Sequence, residues 1–184
     1  MANEKSFPKW KRLFALLKID NRKEEIGFGW NWVFNSEICR FKADSPGGKF
    51  ERLTENPILE FADENKHIED PFLWYDESRK KFCMIAKDDS KNGDSGITGE
   101  WGAGFYAESD DCIHFEIPDD PKVYSRNLVW EDGRKTTQCN LERPSLLFDE
   151  NGGPIYLFCA SGDGDSPYAF KGATYVVGIK LERK

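Results

Sequence analysis

Glu69-Asp70-Pro71-Phe72-Leu73-Trp74-Tyr75-Asp76-Glu77 and Glu142-Arg143-Pro144-Ser145-Leu146-Leu147-Phe148-Asp149-Glu150 share one pattern, E-x-P-x-L-(W/L)-(Y/F)-D-E, 73 residues apart. A short polar turn follows each copy, Ser78-Arg79-Lys80-Lys81 in the first and Asn151-Gly152-Gly153-Pro154 in the second. A second apolar run comes next, Phe82-Cys83-Met84-Ile85-Ala86 or Ile155-Tyr156-Leu157-Phe158-Cys159-Ala160. Apolar, turn, apolar at these lengths predicts a β-hairpin, so the chain contains one hairpin twice.

Working outward, a second motif alternates with the first. Phe41-Lys42-Ala43-Asp44-Ser45 leads to Phe50-Glu51, and Phe105-Tyr106-Ala107-Glu108-Ser109 leads to Phe115-Glu116. Paired hairpins recurring every ~40–70 residues predict the blades of a β-propeller, with a plain β-sandwich as the competing architecture. Two and a half blades are accounted for, against ~4–8 in a closed propeller. The expected fold is therefore all-β and incomplete. An open arc leaves strand edges and an apolar blade face uncovered, which calls for more chain or for a partner such as a second copy. Residues 35–184 form the partial propeller domain. Residues 1–34 stand outside the repeat and read as an unmatched segment, a piece of an earlier blade.

Composition narrows the function classes. The 184 residues are 39% hydrophobic and 14% aromatic, which marks a globular chain with a real core. A formal charge of −7 excludes the basic face that phosphate neutralisation requires, so nucleic acid is not an expected partner. Lys9, Lys11, Arg12 and Lys18, interleaved with Trp10, Leu13, Phe14, Leu16 and Leu17, read as a surface helix rather than a membrane-surface one. The segment makes a poor signal peptide, and no stretch approaches the ~18 apolar residues of a spanning helix. Localisation is then cytoplasmic by default, and periplasmic or secreted if an N-terminal part is missing. Five Cys without a C-x-x-C pair and two distant His indicate neither a disulfide framework nor a metal site, and no cofactor is implied. Cys83 and Cys159 lie in apolar runs and read as small buried hydrophobes.

Candidate chemistry sits where the repeated strands begin. Proline is tolerated at a strand start, and the residue before it is pushed to extended geometry. Asp70 and Glu142 are thereby expected to face one funnel from two blades. Two carboxylates so placed are the raw material of glycoside hydrolysis. The plainer reading of each acid is a turn cap. Trp101, between Gly99 and Gly102, is the loop aromatic best suited to stack on a sugar, whereas Trp74 reads as core and His114 as part of a turn. Asp88-Asp89-Ser90-Lys91-Asn92-Gly93-Asp94 lacks full calcium-loop spacing and reads as a solvated turn.

His67-Ile68-Glu69-Asp70-Pro71-Phe72-Leu73-Trp74-Tyr75 resembles the block that carries the pKa-modulating Asp in five-bladed glycoside hydrolases of families 43 and 117. Leu141-Glu142-Arg143-Pro144-Ser145-Leu146-Leu147-Phe148 resembles the block with the general-acid Glu. Lys87-Asp88, Ile97-Thr98-Gly99, Tyr124-Ser125-Arg126, Trp130-Glu131-Asp132-Gly133-Arg134 and Phe158-Cys159-Ala160-Ser161-Gly162-Asp163-Gly164 are more similar to the family 117-like group. The resemblance implies an inverting hydrolase of plant or algal oligosaccharides, with Glu142 as proton donor and Asp70 orienting it. It also implies that His67, Arg143 and Arg126 contact sugar hydroxyls or the carboxylates. The family's base, an Asp of the first blade, has no matching block here, since Asp20 and Asp44 stand in other contexts. The alternative is a non-catalytic propeller fragment that binds carbohydrate or serves as scaffold.

Overall fold

The computed structural model describes residues 13–20, 23–25, 30–32, 36–43, 49, 51–52, 54–63, 65–90, 96–164 and 170–182; for 13–43, 163–164 and 170–171 only the backbone path is considered. Fourteen strands and no helix are present among them. The largest sheet is a four-stranded antiparallel meander, β6 (Ile68–Asp76), β7 (Lys81–Asp88), β8 (Gly104–Ser109) and β9 (Lys122–Tyr124), in the order β6-β7-β8-β9. A second meander joins β12 (Glu142–Phe148), β13 (Pro154–Gly164) and β14 (Phe170–Lys180). The third has the order β1-β4-β5, from β1 (Leu13–Asp20), β4 (Ser36–Ala43) and β5 (Glu51–Arg52). Two small hairpins complete the set, β2 (Lys23–Glu25) with β3 (Trp30–Trp32) and β10 (Asn127–Val129) with β11 (Lys135–Thr137).

Both copies of the repeated hairpin form, as β6–β7 and β12–β13. Their turns are built alike, because Asp76 Oδ1 accepts the Ser78 and Arg79 amides and Asp149 Oδ1 accepts those of Asn151 and Gly153. An Asp that bonds backbone ahead of it favours such a turn locally. The second motif pairs as β4–β5, while Phe50, Asp44 and Ser45 lie outside the described residues. In its other copy, Glu116 meets Glu108 in a single bridge and the ladder resumes only at β9. Pro118 and Pro121 remove donors from the intervening chain, which explains the break.

One expectation about the N-terminal part changes. Leu13–Asp20, read as part of a surface helix, is strand β1 and pairs with β4 from Leu13↔Ala43 to Asp20↔Ser36. An eight-residue ladder satisfies more backbone than a short isolated helix does, so long-range pairing overrides local pattern. Lys9, Trp10, Lys11 and Arg12 lie outside the described residues. Through β1, residues before 35 contribute a strand to the sheet that also holds β4 and β5.

Strand β1 lies beside β6, and β12 against β6 and β7. Side chains of the middle sheet alternate between two cores. Ile68, Met84, Ala86, Phe105 and Ala107 pack on one side with Leu59. Ile85 points to the other, where it meets Leu141, Leu157, Cys159, Val177 and the flanking Phe72 and Trp74. Trp74, read as core, touches Tyr106 and Phe148 across this second layer. Burying Phe105 fully is worth roughly 1.5–3 kcal/mol, and the period-two pattern places such residues on both faces of one strand set. Cys83, Cys112, Cys139 and Cys159 are buried.

Candidate active site

Each repeated E-x-P segment opens its strand with a bulge. Glu69 pairs with Lys87 and Phe72 with Ile85, so three steps on β6 face two on β7. Glu142 pairs with Ala160 and Ser145 with Phe158, in the same mismatch. The extra residue turns out of extended geometry, giving φ +53° at Asp70 and +52° at Arg143. The expectation that the residue before each proline stays extended is therefore corrected. Proline disfavours the right-handed helical region of its predecessor, but the bulge imposes a left-handed one instead. Asp tolerates this region better than Arg does.

The two bulges meet. The Arg143 amide donates to Asp70 Oδ2 at 3.2 Å, bridging the sheets of β6 and β12. Burial first, and then the neighbouring charge of Glu69, raise the Asp70 pKa, with the Arg143 guanidinium opposing and Glu142 adding to the rise. Glu142 Oε2 accepts from Arg143 Nη1 at 3.1 Å, and its Oε1 accepts from Asn140 Nδ2 at 2.9 Å.

At the centre is a residue that the sequence reading quoted without giving it a role. Lys87, only 2% exposed, directs Nζ to Glu69 Oε1 at 2.7 Å, Asp89 Oδ1 at 3.1 Å and Glu142 Oε1 at 3.4 Å. Burial alone would push the ammonium's pKa down, but Glu69 and Asp89 outweigh it and hold the pKa above the ordinary lysine range. Burial likewise pushes Asp89 up, yet His67 and Lys87 bring it below the usual value. Among the described residues no group of His, Cys, Asp and Glu is arranged for a metal ion, and the place between these carboxylates is filled by the ammonium. The only sequence signal for Lys87 was its register opposite Glu69, readable once the hairpin is aligned.

The remaining candidates divide. His67, 7% exposed, sets Nε2 3.0 Å from Asp89 Oδ2, so it reaches the cluster through a carboxylate and not directly. Trp101, 8% exposed, lies with its ring centroid 5.1 Å from both Lys87 Nζ and the Arg126 guanidinium carbon. Its face is covered by cations, a favourable arrangement in itself, and little of it is left for a sugar. Arg126 donates Nε to the Trp101 carbonyl at 2.9 Å and Nη1 to the Gln138 carbonyl at 3.0 Å, which ties two loops together. Asp70, Glu142, Arg143 and His67 thus converge with Glu69, Lys87 and Asp89, while Trp101 and Arg126 form the layer beneath.

The first residues of the acidic stretch are not solvated, since Asp88 ends β7 in the interior and Ser90 is buried beside it. Asp88 is fully buried and accepts from Ser90 Oγ, the Ile97 and Thr98 amides and Thr98 Oγ1, at 2.6–2.8 Å. It anchors the loop that delivers Trp101; residues 91–95 lie outside the described residues. His114, exposed, caps its turn with Asp111.

No family model matches the chain, and no curated protein matches it either. Among solved structures, an exo-β-1,3-galactanase from Clostridium thermocellum aligns at 15% identity and TM-score 0.49, covering 84% of this chain and 30% of that one. An exo-β-1,3-galactanase from Phanerochaete chrysosporium, crystallised with β-1,3-galactotriose, aligns at 13% identity and TM-score 0.50, covering 93% of this chain. The chain spans 37% of that protein. The chain is therefore all-β, built of antiparallel propeller blades in an incomplete set, with a fold like that of the family 43 galactanases.

Proposed function

We propose that this chain carries the proton-donating side of the sugar cleft of a propeller glycoside hydrolase acting on O-glycosidic bonds of plant or algal oligosaccharides. One observation carries the reading: Glu69, Asp89 and Glu142, from two adjacent blades, gather around one buried lysine, and Asp70 meets the Arg143 amide beside Glu142. Glycosidases need paired acids of unequal environment. Glu142 is the proton donor in this reading. Asp70, with its raised pKa, is the carboxyl that orients and modulates it. Arg143 and His67 are the polar groups nearest a sugar hydroxyl, Arg143 directly and His67 through Asp89. The water-activating Asp belongs to a block that no segment here matches, and inversion requires ~6.5–9.5 Å between acid and base. The series of linking motifs keeps the family 117-like group as the finer reading.

Because the fungal neighbour was crystallised with β-1,3-galactotriose, β-1,3-galacto-oligosaccharides are the first ligands to try, followed by agar- and arabinan-derived fragments. Calorimetric titration and chromatography of products, on the chain and on any longer form of it, test the proposal. Saturable binding that Glu142→Gln preserves while product release falls by about 10²–10⁴ supports it. Absence of binding to every oligosaccharide of the panel overturns it.

A further inference from the structure

Among the described residues Lys87 is the one lysine or arginine buried among the acids, and the hairpin does not require it. The matching position of the second hairpin, Ala160, faces Glu142 across the same ladder without a charge. A buried ammonium is expensive unless paired, so its placement needs a reason beyond strand pairing. Its partners supply one. Glu69 comes from β6, Asp89 from the chain just after β7, and Glu142 from the neighbouring sheet. The Lys87–Glu142 contact therefore crosses between blades. The face of Trp101 backs the ammonium, and Trp101 is in turn fixed by Arg126. Glu69, Asp70, Asp89, Glu142, His67 and Arg143 surround the ammonium and its acids, and Tyr124 lies near Asp70.

We propose that Lys87 is a positioning residue that acts as an internal counter-ion, holding Glu142 in register with Glu69 and Asp89 across the blade boundary. It rests on the glycosidase reading only in that Glu142 is taken as the proton donor. The ammonium takes the place that a divalent cation fills in other clusters of three carboxylates, at a fixed point set by the β7 backbone. Losing it leaves three acids without the ammonium between them, and it frees Glu142 to leave its place.

The test compares Lys87→Met, Lys87→Arg and the double variant Lys87→Met/Ala160→Lys, which returns a cation opposite Glu142 from its own hairpin. Carboxyl ¹³C titration of Asp89 and the ¹³C side-chain order of Glu142 are read alongside hydrolysis. In Lys87→Met the Asp89 midpoint is expected to rise by about 1–3 pH units, Glu142 to lose side-chain order, and kcat to fall at least about tenfold with KM within threefold. Lys87→Arg restores both acids in part. The double variant restores Glu142 order and kcat but leaves Asp89 shifted. Should Lys87→Met not fold, the two cation-bearing variants still separate the acids. Unchanged Glu142 order in folded Lys87→Met overturns the proposal. A double variant that restores nothing overturns it as well. If the parent chain hydrolyses no sugar, the glycosidase reading fails while the order of Glu142 still decides the role of Lys87.

Discussion

Hairpins β6–β7 and β12–β13 share a bulge, a left-handed residue and a proline at equal register, yet their side chains differ at His67 against Asn140, Asp70 against Arg143, Lys87 against Ala160 and Asp88 against Ser161. The backbone device is common because both copies must turn the strand start toward the same rim. The charges are complementary because the copies face one another. Asp70 of one accepts the Arg143 amide of the other, and Lys87 of one serves the glutamates of both. Two identical hairpins would have placed like charges together, either two acids or two lysines. Divergence at a few matched positions turned a repeated scaffold into one asymmetric cluster.

The sharpest way to break this comparison is to treat its matched glutamates alike. If the proposed roles hold, Glu142→Gln lowers kcat/KM on an oligosaccharide substrate by about 10²–10⁴, whereas Glu69→Gln lowers it by about tenfold or less. Equal losses would mean that the two positions are interchangeable and that asymmetry plays no part. A second contrast concerns the loops behind the hairpins. Asp88→Ala strands several buried donors and is expected to cost more than about 3 kcal/mol in urea unfolding, at about 1–3 kcal/mol per unsatisfied group. Ser161→Ala, which removes one hydroxyl bonded to Gln138 and the Asn140 carbonyl, is expected to cost about 1 kcal/mol.

The left-handed residues give a smaller and more pointed test. Arg143→Gly relieves a backbone strain of about 1 kcal/mol and gives up an exposed ion pair of little worth, so it should stabilise the fold. Asp70→Gly relieves a smaller strain and orphans the Arg143 amide, so thermal unfolding should show no gain or a loss. If both substitutions stabilise equally, the bridge between the bulges contributes nothing.

The smallest effects are in pH dependence and carry opposite signs. Asp70, raised above 3.8, holds its proton more tightly when folded, so its ionisation costs stability as pH climbs through the raised value. Asp70→Asn keeps an acceptor for the Arg143 amide. It should therefore stabilise the protein at neutral pH and make no difference well below 3.8. Asp89 is lowered, so it stabilises above 3.8 and the benefit disappears as pH falls through its lower folded value. Asp89→Asn should then destabilise at neutral pH and converge with the parent in acid. Unfolding midpoints across the acid range check both signs.

The E-x-P repeat, the D-E turn and the apolar runs were enough to read two hairpins, the alternation with a second motif and a propeller-type, all-β arc. These features depend on neighbours a few residues apart, where turn chemistry and period-two burial act locally. Asp70, Glu142, Arg143 and His67, legible as candidates in the sequence, come together with Glu69, Lys87 and Asp89. Trp101 and Arg126, the other two candidates, pack against Lys87 and each other. From sequence a tryptophan between glycines looks exposed, and the loop closure that buries it runs through Asp88 and Arg126, far apart along the chain. Strand β1 escaped notice for a similar reason, since its partner β4 is separated from it by an intervening hairpin.

What the residues alone determined was the scaffold: strand, bulge-forming proline, capped turn and the acids at strand starts, each a consequence of short-range sterics and hydrogen bonding. What only the tertiary structure decided was the pairing of charges across blades, with Lys87 at its centre. Which ammonium meets which carboxylate depends on the packing of one sheet against the next, and that packing is set by the sum of apolar burial on both faces rather than by any motif.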